Sequence, residues 1–395
     1  MTSSQTATPP ADPPDVRGTW VSFSYLATWG FILYGLGTAT PYLKADLGLT
    51  DFQAGLHASA LSIGVLAAGL TADRVSRRVG TRWLPDLAVS IVGTGIALIA
   101  FAPGLPVSLL GAMLMGIGGG TLGTWINVRL SRAGGAGSRR LFAQANALSM
   151  ITAGVAPVAV GLAASGLHAW RVALALPVVA YLTLAILRPR EPGEGSSVRA
   201  PRSSLPRAYW FAWLLVCLVV SIEFSFVYWG STIVTKQTGL SRADATVLGG
   251  LFVVGMFIGR AAIGRGMGAG RSPRALLSGG LVVALIGSSL VWISTVPVLS
   301  ALGLFLGGLG TSLLYPIGIS VALQSAPKAQ FQAAARGTLA SGIAVLLAPS
   351  TLGLAADVVG VVGAWPIISV LALVALGLVA VTPRTDGSQA DPQAQ

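Results

Sequence analysis

Long apolar runs without a single charged residue alternate with short clusters of charged and polar positions along this chain. The 26 residues between Arg17 and Lys44 carry no charge, and the ranges 87–128 and 275–327 carry none over 42 and 53 residues. A helix that crosses a bilayer needs about 20 mostly apolar residues. The pattern therefore predicts one membrane span in the first run and two spans in each of the longer runs.

Proline and glycine mark where the two longer runs divide. The segment Pro103-Gly104-Leu105-Pro106 interrupts one and the segment 294–297, which ends in proline, interrupts the other, because proline cannot continue an ordinary helix. We predict an all-α integral membrane protein of twelve transmembrane helices in two six-helix repeats. The spans lie at approximately 19–43, 52–71, two within 87–128, one within 141–170, then 168–187, 209–234, 244–263, two within 275–327, 336–356 and 359–382. The predicted domains are a disordered tail at 1–18, bundles at 19–187 and 208–382, a flexible linker at 188–207 and a disordered tail at 383–395.

Composition excludes other classes of protein. Hydrophobic residues make up 53% of the chain and charged residues only 10%, too few charges to cover a water-facing surface. The net charge of +12 would suggest nucleic acid in a soluble protein, but here the charges lie between apolar runs, so no nucleic-acid partner is expected. One cysteine and two histidines provide no disulfide, metal site or cofactor site. We therefore expect a protein that is not an enzyme.

The distribution of lysine and arginine predicts the orientation. Nineteen of the 25 lie in the connections 2–3, 4–5, 6–7, 8–9 and 10–11, whereas only Lys44, Arg171, Lys236 and Arg242 lie on the other side. Basic loops stay in the cytoplasm. We expect a multi-pass protein of the plasma (inner) membrane, present as a monomer in the lipid bilayer, with both termini and the linker cytoplasmic.

The two halves of the chain repeat each other. Residues 156–164 read APVAVGLAA and residues 348–356 read APSTLGLAA, an offset of 192. Thr50 and Ser241 each precede a polar residue by three positions at the start of spans 2 and 8, a spacing typical of a capping box. Two repeats in the same orientation place a transport pathway at their interface, near the middle of the membrane.

The connection after span 2 carries a specific motif, GLTADRVSRRVG, from Gly69 to Gly80. Together with the twelve spans, the central linker and the repeat, it makes the whole chain resemble the major facilitator superfamily. That family's signature in this connection is Gly, three residues, Asp-Arg, one residue, Gly and two basic residues. Ser76 stands where the family usually has glycine, and the copy after span 8 has Gly259 in place of the acid.

The resemblance implies a cytoplasmic gate in which Asp73 interacts with the start of span 11. Electrostatic attraction is consistent with this contact, because a helix N-terminus carries a partial positive charge that attracts the Asp73 carboxylate. The expected gate residues are Asp73, Arg74, Arg77, Arg78, Arg260 and Arg336. A basic cluster that only sets the topology is the alternative.

Glu223 is the only acid near the middle of any predicted span. A charged acid at that depth costs about 2.5–3.5 kcal/mol, so it either faces water or is protonated. Proton coupling, solute binding or a structural hydrogen bond are the possible roles. Asp86, in the first turn of span 3, is expected to favour the helix dipole, and Asp357, at the outer end of span 11, is expected to be solvated.

Aromatic and polar side chains cluster in spans 1, 4, 7 and 10, which the resemblance implies line the cavity. The expected cavity residues are Trp29, Tyr34, Thr121, Thr124, Trp125, Asn127, Tyr228, Trp229 and Tyr315. No lysine or arginine is expected at that depth, which disfavours an anionic solute.

We therefore expect a secondary transporter that moves a small neutral or cationic organic solute by alternating access, coupled to protons. A drug or metabolite efflux antiporter and an uncoupled facilitator are alternatives. The family's antiporters carry Gly-Pro in span 5 and an arginine in span 4, where this chain has Ala156-Pro157 and Gly111. A non-transporting receptor or scaffold is the alternative of another class, although it needs neither a buried acid nor a gate motif.

Overall fold

The computed structural model describes residues 16–134, 138–166, 169–188, 204–264, 270–326 and 330–381. The described residues form thirteen helices. They are α1 (Val16–Leu47), α2 (Asp51–Val79), α3 (Leu84–Ala100), α4 (Leu105–Gly134), α5 (Ser138–Gly166), α6 (Trp170–Leu187), α7 (Arg207–Thr238), α8 (Arg242–Gly264), α9 (Pro273–Ile293), α10 (Pro297–Thr311), α11 (Leu314–Gln324), α12 (Gln330–Ala364) and α13 (Pro366–Val381). Span 10 consists of α10 and α11, so that α12 and α13 are spans 11 and 12.

The predicted all-α membrane architecture is confirmed. Within the described ranges, nine segments are long and apolar enough to cross a membrane, and α3 and α13 are shorter apolar helices at the positions of spans 3 and 12. The twelfth span is α1, which is 32 residues long but less apolar than those nine segments. Its hydroxyl side chains donate hydrogen bonds to carbonyls one turn earlier in the same helix, as Thr28 does to Ser24 and Thr40 to Leu36. Such bonds satisfy polar groups inside a membrane.

Each half of the chain has its own apolar core. In the first half, buried residues of α1 to α6 such as Leu61 and Met115 form one cluster. In the second half the core centres on Trp365 at 0% exposure, and Phe226 stacks on Phe252 with 5.0 Å between ring centroids. The halves pack on each other mainly through α2 against α12 and α5 against α8. A site between them is therefore framed by α1 and α7.

The helices end alternately at two faces. The basic face comprises the ends of α2, α4, α6, α8, α11 and α13, near residues 79, 134, 187, 264, 324 and 381; the opposite face comprises the ends of α1, α3, α5, α7, α9 and α12, near residues 47, 100, 166, 238, 293 and 364. The tails at 1–15 and 382–395 and most of the linker, at 189–203, lie outside the described residues. Hence the structure leaves the expectations for those segments as predictions.

Span 10 is not the single continuous helix that the sequence pattern predicts, because Pro316 interrupts it. Residues 312 and 313 form a turn between α10 and α11. Proline has no N–H, so it cannot donate to the carbonyl four residues earlier, which belongs to Ser312. Arg260 of α8 replaces the missing donor, with its Nε atom 3.0 Å from that carbonyl oxygen. The break is therefore stabilised by a side chain from another span.

Candidate functional site

A hydrogen bond between the two halves lies at the centre of the molecule. The hydroxyl of Tyr34, halfway along α1, donates to a carboxylate oxygen of Glu223, halfway along α7. Both side chains are buried, with exposures of 2% and 7%. Tyr34 also lies 3.9 Å from the sulfur of Met256 on α8 and packs on the ring of Phe224. The sequence indicated both polar residues, and the structure brings them together.

A cation lies near this pair, and the expectation of none at this depth is wrong. Arg260 was assigned to the gate because, with Gly259, it belongs to the second copy of the loop motif, at the end of span 8. Its long side chain instead reaches the carbonyl of Ser312 in the middle of span 10. The guanidinium acts electrostatically on Glu223, on Tyr34 and on Tyr315. The described ion pairs do not include Arg260 with Glu223, so the two charges are close without direct contact.

A small cavity lies beside Tyr34, between α1 and α5 of one half and α7 and α8 of the other. Its polar lining consists of Tyr34, Thr38 and Ser231, and its apolar lining includes Phe226 and Phe252. The hydroxyl of Ser231 is buried without a hydrogen-bond partner among the described residues. The polar centre thus continues toward the opposite face as a narrow pocket.

The remaining predicted cavity residues occupy different places. In the second half, Tyr228 is buried against Gly37 of α1, and Trp229 donates from its indole nitrogen to the Pro349 carbonyl at 3.0 Å. Tyr315 is partly buried on α11, within reach of the charges of Glu223 and Arg260. The structure thus groups Tyr34 and Tyr315 with the central charges. It places Tyr228 at the contact between the halves and Trp229 against α12 of its own half.

In the first half, the predicted cavity residues on α1 and α4 lie apart from the central pair. Trp29 lies on Gly119 of α4. Trp125 packs edge-on against Tyr25 and near two arginines, and so lies toward the basic face. Thr121 and Thr124 bond within their own helix, and Asn127 is exposed. No described contact links these residues to Glu223, and their role in binding stays a prediction.

A helix cap connects the two halves at the opposite face. Asp357 of α12 accepts hydrogen bonds from the backbone N–H groups of Asp51 and Phe52, at 2.6 and 2.9 Å. These are the first two residues of α2, whose N–H groups have no partner inside the helix. Thr50 caps the third, and the predicted capping box with Gln53 is confirmed. Asp357 is exposed, as expected, but it also completes a helix terminus of the other half, which the sequence did not indicate.

The repeated segments explain how the halves approach so closely. Gly353 of α12 lies against the Asp51 backbone, and Gly161 of α5 lies where a Cβ atom would be 2.6 Å from Val247 and 2.9 Å from the Ala243 carbonyl on α8. Each glycine belongs to one copy of the repeated GLAA sequence. The two copies therefore do the same thing, since each lets a helix backbone touch the other half.

Serine side chains extend the contact between α2 and α12. Ser59 and Ser62 donate to the carbonyls of Leu346 and Gly342. About two turns beyond Ser62 toward the basic face, Leu70 is 75% exposed. The serine contacts and the Asp357 cap close the interface between α2 and α12 on the side of the opposite face.

The predicted gate residues lie at the basic face where they can be described. The side chains of Asp73 and Arg77 lie outside the described residues, while Arg74 and Arg78 are exposed. Arg336 lies over the ring of Trp210, 5.3 Å from its centroid, within its own half. The gate therefore stays a prediction for these residues.

An ion pair at the basic face was not foreseen. Arg188 is 4% exposed, pairs with Asp86 at 2.6 Å and lies over the Trp125 ring. Sequence reasoning assigned Asp86 to the helix dipole of α3 only, because nothing local indicates that the chain after α6 returns to it. The nearby arginine in the predicted linker was the available signal.

Comparison with known families gives a match over most of the chain. The model described as Major Facilitator Superfamily matches residues 21–269. Among curated proteins, Polyol transporter 5 of Arabidopsis thaliana is 32% identical over 116 residues, which cover 28% of this chain and 22% of that protein. Matches to curated relatives reach only 17–37% of their lengths.

Solved structures share the fold at low sequence identity. A D-xylose-proton symporter superposes with a TM-score of 0.74 at 15% identity, covering 96% of this chain and all of that one. A point mutant of the nucleoside transporter NupG gives a TM-score of 0.77 at 13% identity, covering 94% of this chain and 100% of that one. At such identities the likeness establishes the fold.

Proposed function

Because this chain belongs to the Major Facilitator Superfamily and is a multi-pass membrane transporter rather than an enzyme, we propose that it is a secondary transporter coupled to protons through Glu223. It carries a small polar organic solute by alternating access. The observation that supports the proposal is the hydrogen bond from Tyr34 to Glu223, which joins the two halves halfway along α1 and α7.

The coupling follows from the cost of burying a charge. A carboxylate in the middle of a membrane needs water, a cation or a proton. When protonated, Glu223 is neutral, and its bond with Tyr34 lets α1 and α7 close around it. When ionised, it needs the charge of Arg260 or water in place of the proton, which favours a different arrangement of the site. Protonation of one side chain thus changes the relative stability of the two states.

The polar groups of the site and the similar proteins both indicate the class of solute. Hydroxyls of Tyr34, Tyr315 and Ser231 around the centre suit a hydroxylated solute. A polyol transporter among the relatives and a D-xylose-proton symporter among the similar folds agree with that class. The expectation of a neutral or cationic solute rested on the absence of a nearby cation, and Arg260 removes that argument.

The orientation proposed from the basic residues indicates which side of the membrane the closed face is on. If the basic face is cytoplasmic, the closed opposite face is the outer one. The structure then corresponds to a state in which the site is shut off from the outside. The location in the plasma (inner) membrane and the cytoplasmic termini belong to this proposal.

The test is a flux measurement in proteoliposomes that contain a pH-sensitive dye. A panel of polyols, sugars, nucleosides and organic acids is added, and solute-induced proton movement is recorded. Glu223→Gln, which resembles the protonated form, should fold normally, keep solute exchange and lose pH-dependent net transport. Glu223→Asp should keep part of the coupling. Asp244→Asn removes an exposed acid at the opposite face and is the matched control, expected to behave as wild type.

Three results would decide among the alternatives. Full net transport by Glu223→Gln with an unchanged pH profile would refute coupling through this residue. Solute movement without any proton movement in the wild type would identify a facilitator. Binding without transport of any solute would identify a receptor.

A further inference from the structure

Arg260 is a fixed cation whose hydrogen-bonding capacity is mostly unused. A guanidinium has five N–H donors. The Nε–H binds the Ser312 carbonyl freed by Pro316, and the neighbouring Gly259 packs directly on the Ser312 side chain. No acceptor for the other four donors is found within the described part of the chain. The side chain is held firmly at one atom while its two terminal nitrogens remain available.

The charges around this cation do not neutralise it when Glu223 is protonated. The groups that face it are Glu223 on α7, Tyr34 on α1 and Tyr315 on α11. The two tyrosines are neutral, and the acids of the described ion pairs, Asp46, Asp51 and Asp86, have other partners. A cation at this depth without a counter-charge is costly. Arg260 is partly exposed, so water or an anion can compensate its charge, and an anion beside it is favoured in the state in which Glu223 carries its proton.

We propose that the transported solute is a small organic monocarboxylate, and that its carboxylate binds the terminal nitrogens of Arg260. The planar guanidinium presents paired donors that match the two oxygens of a carboxylate. Tyr34 and Tyr315 lie around the same centre and can bind hydroxyls on the rest of the solute. This inference rests on the proposed function and names its substrate class.

The inference also gives the stoichiometry. Protonated Glu223, the guanidinium and one carboxylate together have zero net charge, so the loaded site can close without stranding a charge. If Glu223 loses its proton, its own carboxylate becomes the counter-charge of Arg260 and competes with the solute. One proton and one monocarboxylate therefore move together in the same direction.

Binding to the purified protein in nanodiscs tests this directly. The probes are matched pairs of equal carbon skeleton: D-gluconate with D-glucitol, L-lactate with propane-1,2-diol, and a series of short-chain monocarboxylates with their alcohols. Thermal stabilisation and tryptophan fluorescence are measured at acidic and alkaline pH. We expect at least one carboxylate to bind at least about tenfold more tightly than its alcohol, and more tightly at acidic pH.

Variants separate the anion site from the structural role of Arg260. Arg260→Gln should weaken carboxylate binding at least about tenfold, and Arg260→Lys should weaken it less. Because Arg260→Gln also deprives the Ser312 carbonyl of its donor, the double variant with Pro316→Ala restores a backbone N–H there and keeps the helix satisfied. It should fold and still fail to bind. Arg242→Gln, which removes an arginine at the opposite face, is the matched control. Glu223→Gln should bind the carboxylate equally at both pH values.

The outcomes distinguish this inference from the proposed function. Equal binding of every carboxylate and its alcohol, no binding of any carboxylate, or unchanged binding in the double variant would overturn the anion site. If an alcohol of the panel were then transported with protons, coupling through Glu223 would stand. If carboxylates bound through Arg260 while Glu223→Gln left the pH profile of transport unchanged, the coupling would fail and the anion site would stand.

Discussion

The cap that Asp357 provides for α2 is expected to hold the opposite face closed, and its removal should open that face. Asp357→Ala removes the acceptor of two backbone hydrogen bonds, measured at 2.6 and 2.9 Å. Replacing a helix-capping residue costs about 0.5–2 kcal/mol, and a hydrogen bond to a charged group is worth about 1.5–3 kcal/mol. Because Asp357 is exposed, water partly replaces the lost bonds and the lower part of these ranges applies. A loss of about 1.4 kcal/mol changes the ratio of closed to open molecules about tenfold.

Cysteine labelling measures this ratio. In a Cys217→Ser background, Ser231→Cys places one thiol in the small cavity beside Tyr34, behind the closed contacts. An impermeant thiol reagent is added at the opposite face of the protein in proteoliposomes. The labelling rate should rise about tenfold with Asp357→Ala, and less with Asp357→Asn, which keeps an uncharged acceptor.

The control is Asp244→Ala, at the same face. Asp244 bonds with Ser241 of its own half, so its loss should leave labelling unchanged. If Asp357→Ala and Asp244→Ala gave the same rate as the parent protein, the cap would contribute nothing to closure and the reasoning would be wrong. A large drop in melting temperature for Asp357→Ala alone would show a role in folding instead.

Three further predictions concern the basic face. A cysteine at Arg271 should resist an impermeant reagent in intact cells while one at Lys236 reacts, and the reverse pattern would overturn the orientation. Asp73→Asn should weaken closure of the basic face without unfolding the protein, and a wild-type transport rate with unchanged thiol accessibility at both faces would contradict that. Asp86→Asn should lower stability by about 3–5 kcal/mol, because it leaves the buried Arg188 guanidinium without its counter-charge, and Arg188→Ala should lower it less, because Asp86 is partly exposed; thermal unfolding that matched the parent in both variants would show that the ion pair is dispensable.

The sequence alone predicted most of the architecture, because the local amino-acid composition is enough to identify a membrane span. The breaks at residues 103–106 and 294–297 coincide with the ends of α3 and α9 and the starts of α4 and α10. The segments 156–164 and 348–356 were identified as copies of each other, and the glycine of each copy lies at the contact between the halves. These features depend on neighbouring residues, so periodicity, proline and glycine suffice to find them.

The centre of the site was harder, because it depends on residues far apart in the chain. Glu223 was singled out by its depth, but its partner Tyr34 lies 189 positions away and was one of several aromatic candidates. Arg260 was placed at a loop because its Cα is near the end of α8, whereas its charge lies where the side chain reaches. Pro316 was the overlooked signal, since a proline inside span 10 frees a carbonyl that some donor must satisfy.

The break at Ser312 has a consequence for the way the protein is made. The helices α10 and α11, 15 and 11 residues long, extend only about 22 and 16 Å at 1.5 Å per residue, and neither alone crosses a hydrocarbon layer about 30 Å thick. They must enter the membrane as one segment whose middle carries an unsatisfied carbonyl. Synthesis delivers α8 before span 10, so Arg260 is already inserted when span 10 leaves the ribosome. Arg260 then gives the Ser312 carbonyl its hydrogen-bond donor, and that carbonyl gives Arg260 an acceptor inside the membrane. Spans 8 and 10 are therefore expected to leave the insertion machinery as a pair.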